Sequence, residues 1–189
     1  MKIHSRMSLG LGVVLIAGVA LGCASSASLQ GVVSEGVPQA PALKVYALVD
    51  HHDADLACVD YGKTLWQELH RALADEHVES EGQAVDLKLD AYRSDVSAYR
   101  PDLVLRVRAT GGVPFYYVLF SKCGGKLAGY QSVSYDVDVL APDLESSVWH
   151  STVSNSGSVH AMDSRLEQMA TLIVRRLKTE GVFNGRGAV

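Results

Sequence analysis

The sequence predicts an α+β or α/β domain built on a mixed, mostly antiparallel sheet with two helices on one face. Three observations predict it. Val133, Tyr135, Val137 and Val139 alternate with Ser132, Ser134, Asp136 and Asp138, the pattern of a strand with one wet face. Apolar residues recur twice at helical spacing, as Leu65, Leu69, Ala72 and Leu73, and as Leu166, Met169, Ala170, Ile173 and Leu177. Gly111-Gly112 and Gly124-Gly125 break a β-prone stretch in the manner of hairpin turns. Strands that each keep one polar face need a helix layer on the other face only.

The elements follow in order. Leu43 to Val49 alternates and is β-prone, so it reads as the first strand of the domain. Asp60 suits an N-cap, and a helix is expected from Tyr61 to His77. Val85 to Ala91 alternates cleanly as a second strand. A helical turn is expected around Val96-Ser97-Ala98-Tyr99, and Pro101 biases Arg100 away from helix. Leu103, Leu105, Val107 and Ala109 form one face of a third strand, with Arg106, Arg108 and Thr110 on the other. Phe115 to Phe120 reads as a fourth strand after the Gly111-Gly112 turn, Ser132 to Val139 as a fifth, and Val148 to Val153 as the last. Ser164 and Glu167 match a capping box for the final helix. Arg175, Arg176 and Lys178 complement its dipole, and Gly181 fits the C′ position.

The N-terminus is of another kind. Lys2 and Arg6 precede an apolar run from Leu9 to Leu21, and the first residues hold no acid. This is the layout of a secretory signal. The run is shorter than the ~20 apolar residues that span a bilayer. Val19-Ala20-Leu21-Gly22-Cys23 resembles the lipobox of bacterial lipoproteins. The resemblance implies cleavage before Cys23, a diacylglycerol thioether on its sulfur and an acyl group on its new amine. It also implies outer-membrane sorting, because Ala24 stands where inner-membrane lipoproteins carry Asp. Residues 1–22 are then signal, 23–42 the lipidated cysteine and a flexible Ser/Ala/Gly/Pro tether, 43–184 one domain and 185–189 a frayed tail. About 165 residues would remain after cleavage, enough for a single core.

Cys58 and Cys123 are then left as an even pair in an oxidising compartment, so a disulfide between them is expected, with two buried thiols as the alternative. Closing a loop of about 65 residues would contribute ~4 kcal/mol in the chain-entropy model. A fully parallel crossover between the second and third strands strains this expectation. It would turn the fourth strand back and carry Cys123 to the far end of the sheet from Cys58.

Pro101-Asp102-Leu103-Val104-Leu105 before a meander, and Val148-Trp149 before a capped helix closing in Leu177 to Phe183, resemble a broad group of small outer-membrane lipoproteins. In element order the chain is similar to the N-terminal domain of the translocation protein TolB, the curli secretion lipoprotein CsgG and penicillin-binding-protein activator lipoproteins. The resemblance implies action by binding or assembly rather than catalysis.

The remaining candidates for chemistry are weak. His51, His52, Asp53 and Asp55 crowd one loop, but adjacent residues rarely aim at one ion, so a solvated loop outweighs a metal site. His150 and His160 have no nucleophile elbow near them, so no catalytic residue is expected. Asp136 and Asp138 lie on a polar face where cross-strand pairs with Arg106 and Arg108 outweigh an acid/base pair. Among the aromatics, Tyr116, Tyr130 and Trp149 are the candidate binding surface. The net charge is −4 with no Lys/Arg run, which excludes a nucleic-acid partner. No cofactor is implied. The expected partners are the membrane, through lipid on Cys23, and an envelope protein or a second copy of the chain. A lipid-tethered glycan- or ligand-binding module is the alternative.

Overall fold

The computed structural model describes residues 26–32, 44–50, 61–85, 89–114, 130–158 and 161–183; side chains are undescribed at 26–32, 90, 111–114, 130, 131 and 158. The strands are β1 (Ser26–Val32), β2 (Lys44–Asp50), β3 (Glu79–Val85), β4 (Leu103–Pro114), β5 (Tyr130–Leu140) and β6 (Ser147–Ser158). The helices are α1 (Tyr61–Asp75), α2 (Arg93–Tyr99) and α3 (Met162–Thr179), with a 3₁₀ turn at Leu89–Tyr92. The strands form one six-stranded sheet in the order β1-β6-β5-β4-β2-β3. β2 pairs parallel with β3 and β4, and the other neighbours are antiparallel. The expected α+β class, a mixed and mostly antiparallel sheet, is what the chain adopts.

α1 and α3 pack together on one face, and α2 is a third, short helix on the other. The alternation foreseen in β5 places Val133, Tyr135, Val137 and Val139 in the main core. Leu103, Leu105 and Val107 of β4 and Val45, Ala47 and Val49 of β2 join them. Leu65, Leu69 and Leu73 of α1, with Leu166, Met169, Ala170, Ile173 and Leu177 of α3, close the core from above. Each fully buried Leu or Ile there is worth about 1.5–3 kcal/mol of transfer free energy. A smaller cluster on the opposite face gathers Tyr46, Leu48, Val96, Val104, Leu140 and Leu144.

The C-terminal stop of α3 is as expected. Gly181 adopts φ +79° and its N–H reaches the Lys178 carbonyl at 3.0 Å. The start is not. Ala161 takes the N-cap place, and the Ser164 hydroxyl bonds the Ala161 carbonyl at 3.0 Å, so no capping box forms.

Three further expectations need correction, and the crossover left open is decided. Gly111-Gly112 lies inside β4, beside a register shift at Ala109/Gly111, so the pair serves a bulge and not a turn. The second strand is Glu79–Val85 and not Val85 to Ala91; Leu89–Tyr92 is the 3₁₀ turn leading into α2. The edge strand is held by its parallel pairing with β2, which overrides the better alternation downstream. The supposed tether contains β1, paired antiparallel with β6 from Ser26↔Ser156 to Val32↔His150. The crossover is also parallel, since β3 and β4 both run with β2. β4 continues to Pro114 without reversing, so the chain leaves β4 at the same end of the sheet where it leaves β2 at Asp50. Cys23, Cys58 and Cys123 lie outside the described residues, as do Asp60, Phe115 to Phe120 and Gly124-Gly125.

Gly82 shows how tightly β3 is drawn to its neighbour. Its φ is +156°, and an added Cβ would fall 1.9 Å from the Ala47 carbonyl oxygen. Gly82→Ala is expected to destabilise the fold by about 2 kcal/mol or more, read as a lowered urea midpoint at unchanged slope.

Candidate functional site

The face of the sheet away from α1 and α3 is divided between a polar ladder and a cleft. The ladder crosses β4, β5 and β6. Register places Arg106 opposite Asp138 and Asp138 opposite His150. One Asp138 oxygen accepts from Arg106 Nε and Nη2 at 2.9 and 2.6 Å. The other meets His150 Nδ1 at 2.7 Å. On the next rung Asp136 accepts from Arg108 Nη2 at 3.1 Å and from the Thr152 hydroxyl at 3.4 Å. The cross-strand pairs expected from the alternation are therefore formed. Both oxygens of each aspartate are engaged within the protein, in a half-buried, charge-assisted network.

The cleft lies where the starts of β2 and β3 meet α2. Its open volume is about 500 Å³. Lys44 and Tyr46 of β2 form its floor, Glu81, Gly82 and Gln83 of β3 one wall, and Asp95, Ala98 and Tyr99 of α2 the other. Asp102 secures the floor: its carboxylate accepts from the Lys44 N–H at 2.9 Å, and its own N–H donates to the Lys44 carbonyl at 2.8 Å. α2 ends at Arg100, whose left-handed φ of 52° turns the chain into Pro101 and leaves Tyr99 over the cleft.

The Tyr46 and Tyr99 rings are tilted at 59° with centroids 5.6 Å apart, a favourable aromatic geometry. The Lys44 ammonium stands 4.1 Å from the Tyr99 ring centroid and 3.4 Å from Glu79 Oε1. The Tyr99 hydroxyl donates to the same Glu79 oxygen at 3.2 Å. Gln83 Nε2 reaches Asp95 Oδ2 at 3.3 Å and the Tyr46 hydroxyl at 3.4 Å. Burial raises the Tyr46 phenol above its ordinary range, helped by the charges of Asp95 and Glu81. Burial also raises that of Tyr99, with Glu79 and then Glu81 adding to it. Both phenols are thus neutral at physiological pH.

The residues expected to form a binding surface are not brought together. Trp149 is fully buried in the main core, and its indole N–H donates to Glu180 at 2.5 Å. It is on the helix-facing side of β6, so its place on a surface is withdrawn. Tyr130 opens β5 opposite Ser158, and its side chain is not described. Tyr116 lies outside the described residues, as do His51, His52, Asp53, Asp55 and His160. Among the described residues no group of three or more His, Cys, Asp or Glu is placed to hold a metal.

The Tyr46–Tyr99 pair was missed because its members belong to elements far apart in sequence. The legible signal was the outward position of Tyr46 in its strand, beside an aromatic at the end of a short helix.

No family model and no curated protein matches the chain. Among solved structures it is similar to the PelC dodecamer from Paraburkholderia phytofirmans, at 10% identity over 77% of this chain and 96% of that one, with TM-score 0.46. A single-substitution variant of that PelC dodecamer shows 14% identity over 86% and 100% of the two chains, with TM-score 0.49. A minor lipoprotein from Acinetobacter baumannii shows 11% identity over 73% and 94%, with TM-score 0.38. None of these is named as an enzyme.

Removing one carboxylate from the ladder tests its structural weight. Asp138→Asn leaves Arg106 without a counter-charge and is expected to cost about 1–3 kcal/mol. Urea unfolding of Asp138→Asn, Arg106→Gln and the double variant should give a coupling energy clearly above zero.

Proposed function

We propose that the chain is a non-enzymatic lipoprotein of the bacterial outer membrane, anchored by acyl chains on Cys23, whose domain binds or assembles with envelope components on the periplasmic side. The observation that carries this reading is the position of β1. The sheet begins at Ser26, three residues after the cysteine of the lipobox-like segment. At about 3.3–3.6 Å per residue the anchor and the sheet edge are at most ~10 Å apart. The lipid would therefore join a folded edge, not the end of a long leash. Among the described residues no helix is long and apolar enough to cross a membrane. Lipid is the means of attachment proposed here.

A binding role agrees with the ladder, whose aspartates spend their acceptor capacity inside the protein. The cleft favours a second reading on the same anchored scaffold, a module that holds a small ligand. Its volume falls in the range of small-molecule sites, and its walls combine aromatic rings with convergent polar groups.

Expression in a Gram-negative host with an alkyne fatty acid tests the anchor. The wild type should be labelled and fractionate with the outer membrane, and Cys23→Ala should lose the label and the membrane association. An unlabelled, soluble wild-type protein would overturn the reading. Affinity purification from detergent-solubilised envelopes then tests the binding role, with a defined envelope protein or a second copy of the chain expected in stoichiometric amount.

The pairing of Cys58 with Cys123 is part of this proposal, supported by strand ends that leave the sheet on the same side. Peptide mapping without reductant should recover the two cysteines in one linked species. The Cys58→Ser and Cys123→Ser variants should each lower stability by about 2–5 kcal/mol. Two free thiols in the exported protein would refute the bridge.

A further inference from the structure

We propose that the cleft between β2, β3 and α2 receives a primary ammonium or guanidinium group, and that Lys44 is a built-in occupant of the same place. This rests on the cleft being a ligand site, and not on acylation of Cys23.

The side chain of Lys44 supplies the pattern. Its ammonium lies over the Tyr99 ring at 4.1 Å while a Glu79 oxygen stands 3.4 Å away, the pairing of an aromatic face and a carboxylate that recognises organic cations. The Tyr99 hydroxyl donates to that same carboxylate and fixes the ring against it. The seat is thus built by groups that hold one another, with the Tyr46 ring bracing Tyr99 from the side.

The Lys44 charge does not use up the site. Glu81 of β3 and Asp95 of α2 also line the cleft, and both act on the Tyr46 phenol. Against these and Glu79 the lining sets the single cation of Lys44. About 500 Å³ beside the ammonium is open to an incoming group. Lys44 has a flexible four-carbon stem and a side chain one-third exposed, so it can swing out as another cation enters. A sugar fits less well. The ring face on which it would stack is covered by the ammonium, and a neutral sugar would leave the charges of Glu81 and Asp95 uncompensated.

Two sources carry this chemistry, a free organic cation and an arginine or lysine side chain presented by a partner protein. Amide NMR of the full-length protein in detergent, titrated with N-acetylarginine amide, reads the site at Gly82, Gln83, Asp95 and Tyr99. The wild type should shift these resonances saturably. Lys44→Met, which empties the seat and keeps its apolar stem, should bind roughly tenfold more tightly. Glu81→Gln combined with Asp95→Asn, both exposed positions, should weaken binding at least as much while leaving the rest of the spectrum in place. A Gly-Arg-Gly peptide that binds tighter than the free amide assigns the cation to a protein partner, and equal binding assigns it to a small molecule.

Neutral N-acetylcitrulline amide and maltotriose complete the test. If either moves the cleft resonances and the arginine probe does not, the cation assignment is wrong and the cleft remains a ligand site. If no probe moves them in the wild type or in Lys44→Met, the ligand site falls as well. Equal affinity of the two proteins for arginine amide would refute the role given to Lys44.

Discussion

Two helices side by side can roof only one face of a six-stranded sheet. α1 covers the β2–β3 side and α3 the β6–β1 side, and their contact with each other closes the roof. That single geometric constraint decides the composition of nearly every strand. Residues beneath the helices are mostly apolar, since a bare polar group there costs more than its neighbours return; Asn155 departs from this, buried with no hydrogen-bond partner for its amide among the described residues. Glu180 shows how a conflict is resolved. It takes the Trp149 indole N–H with one oxygen and Arg176 with the other, so the largest core side chain keeps a partner at the edge of the roof.

The uncovered face has to be made tolerable in water by other means, and it is treated in two ways. Near the middle of the sheet, arginine and aspartate pair rung by rung across β4, β5 and β6, which turns an open surface into a cross-braced one. Toward the β2–β3 side, α2 folds over Tyr46, Leu48 and Val104. At seven residues it covers these and reaches little further, and the cleft lies beside it toward β3. The candidate site is thus a consequence of a truncated crossover. A full-length helix between β3 and β4 would fill the same space with its own side chains.

Much of this was legible from residue pattern, and the failures have physical causes. β5 and the first half of β4 alternate because one face is roofed and the other wet, so their phase could be read directly, and with it arginine–aspartate pairing across the polar face, whose register only the structure supplies. β6 could be found but not phased. Beneath the helices it places Ser151 and Asn155 beside Trp149 and Val153, so polar residues occur on both faces and the period-two signal fades. β1 and β3, with sequences SASLQGV and ESEGQAV, have little intrinsic strand preference; they are strands because β6 and β2 offer them ladders. Gly111-Gly112 serves a turn and a bulge equally well on local grounds, and only the pairing partner decides between them. The cleft joins residues from β2, β3 and α2 whose proximity depends on the parallel crossover, a feature that no local window contains.

The first strand of the sheet finds its partner in the last. Leu29 lies opposite Val153, so the edge of the sheet closes only after more than a hundred intervening residues have been made. α3, which follows, contacts both β1 and β6 and supplies half of the roof. Pairing across so long a loop is slow to nucleate, because chain entropy must be surrendered before any contact rewards it. A growing chain therefore cannot finish its architecture while synthesis is under way. Until its final helix is made, the polypeptide lacks half of the cover that its sheet requires.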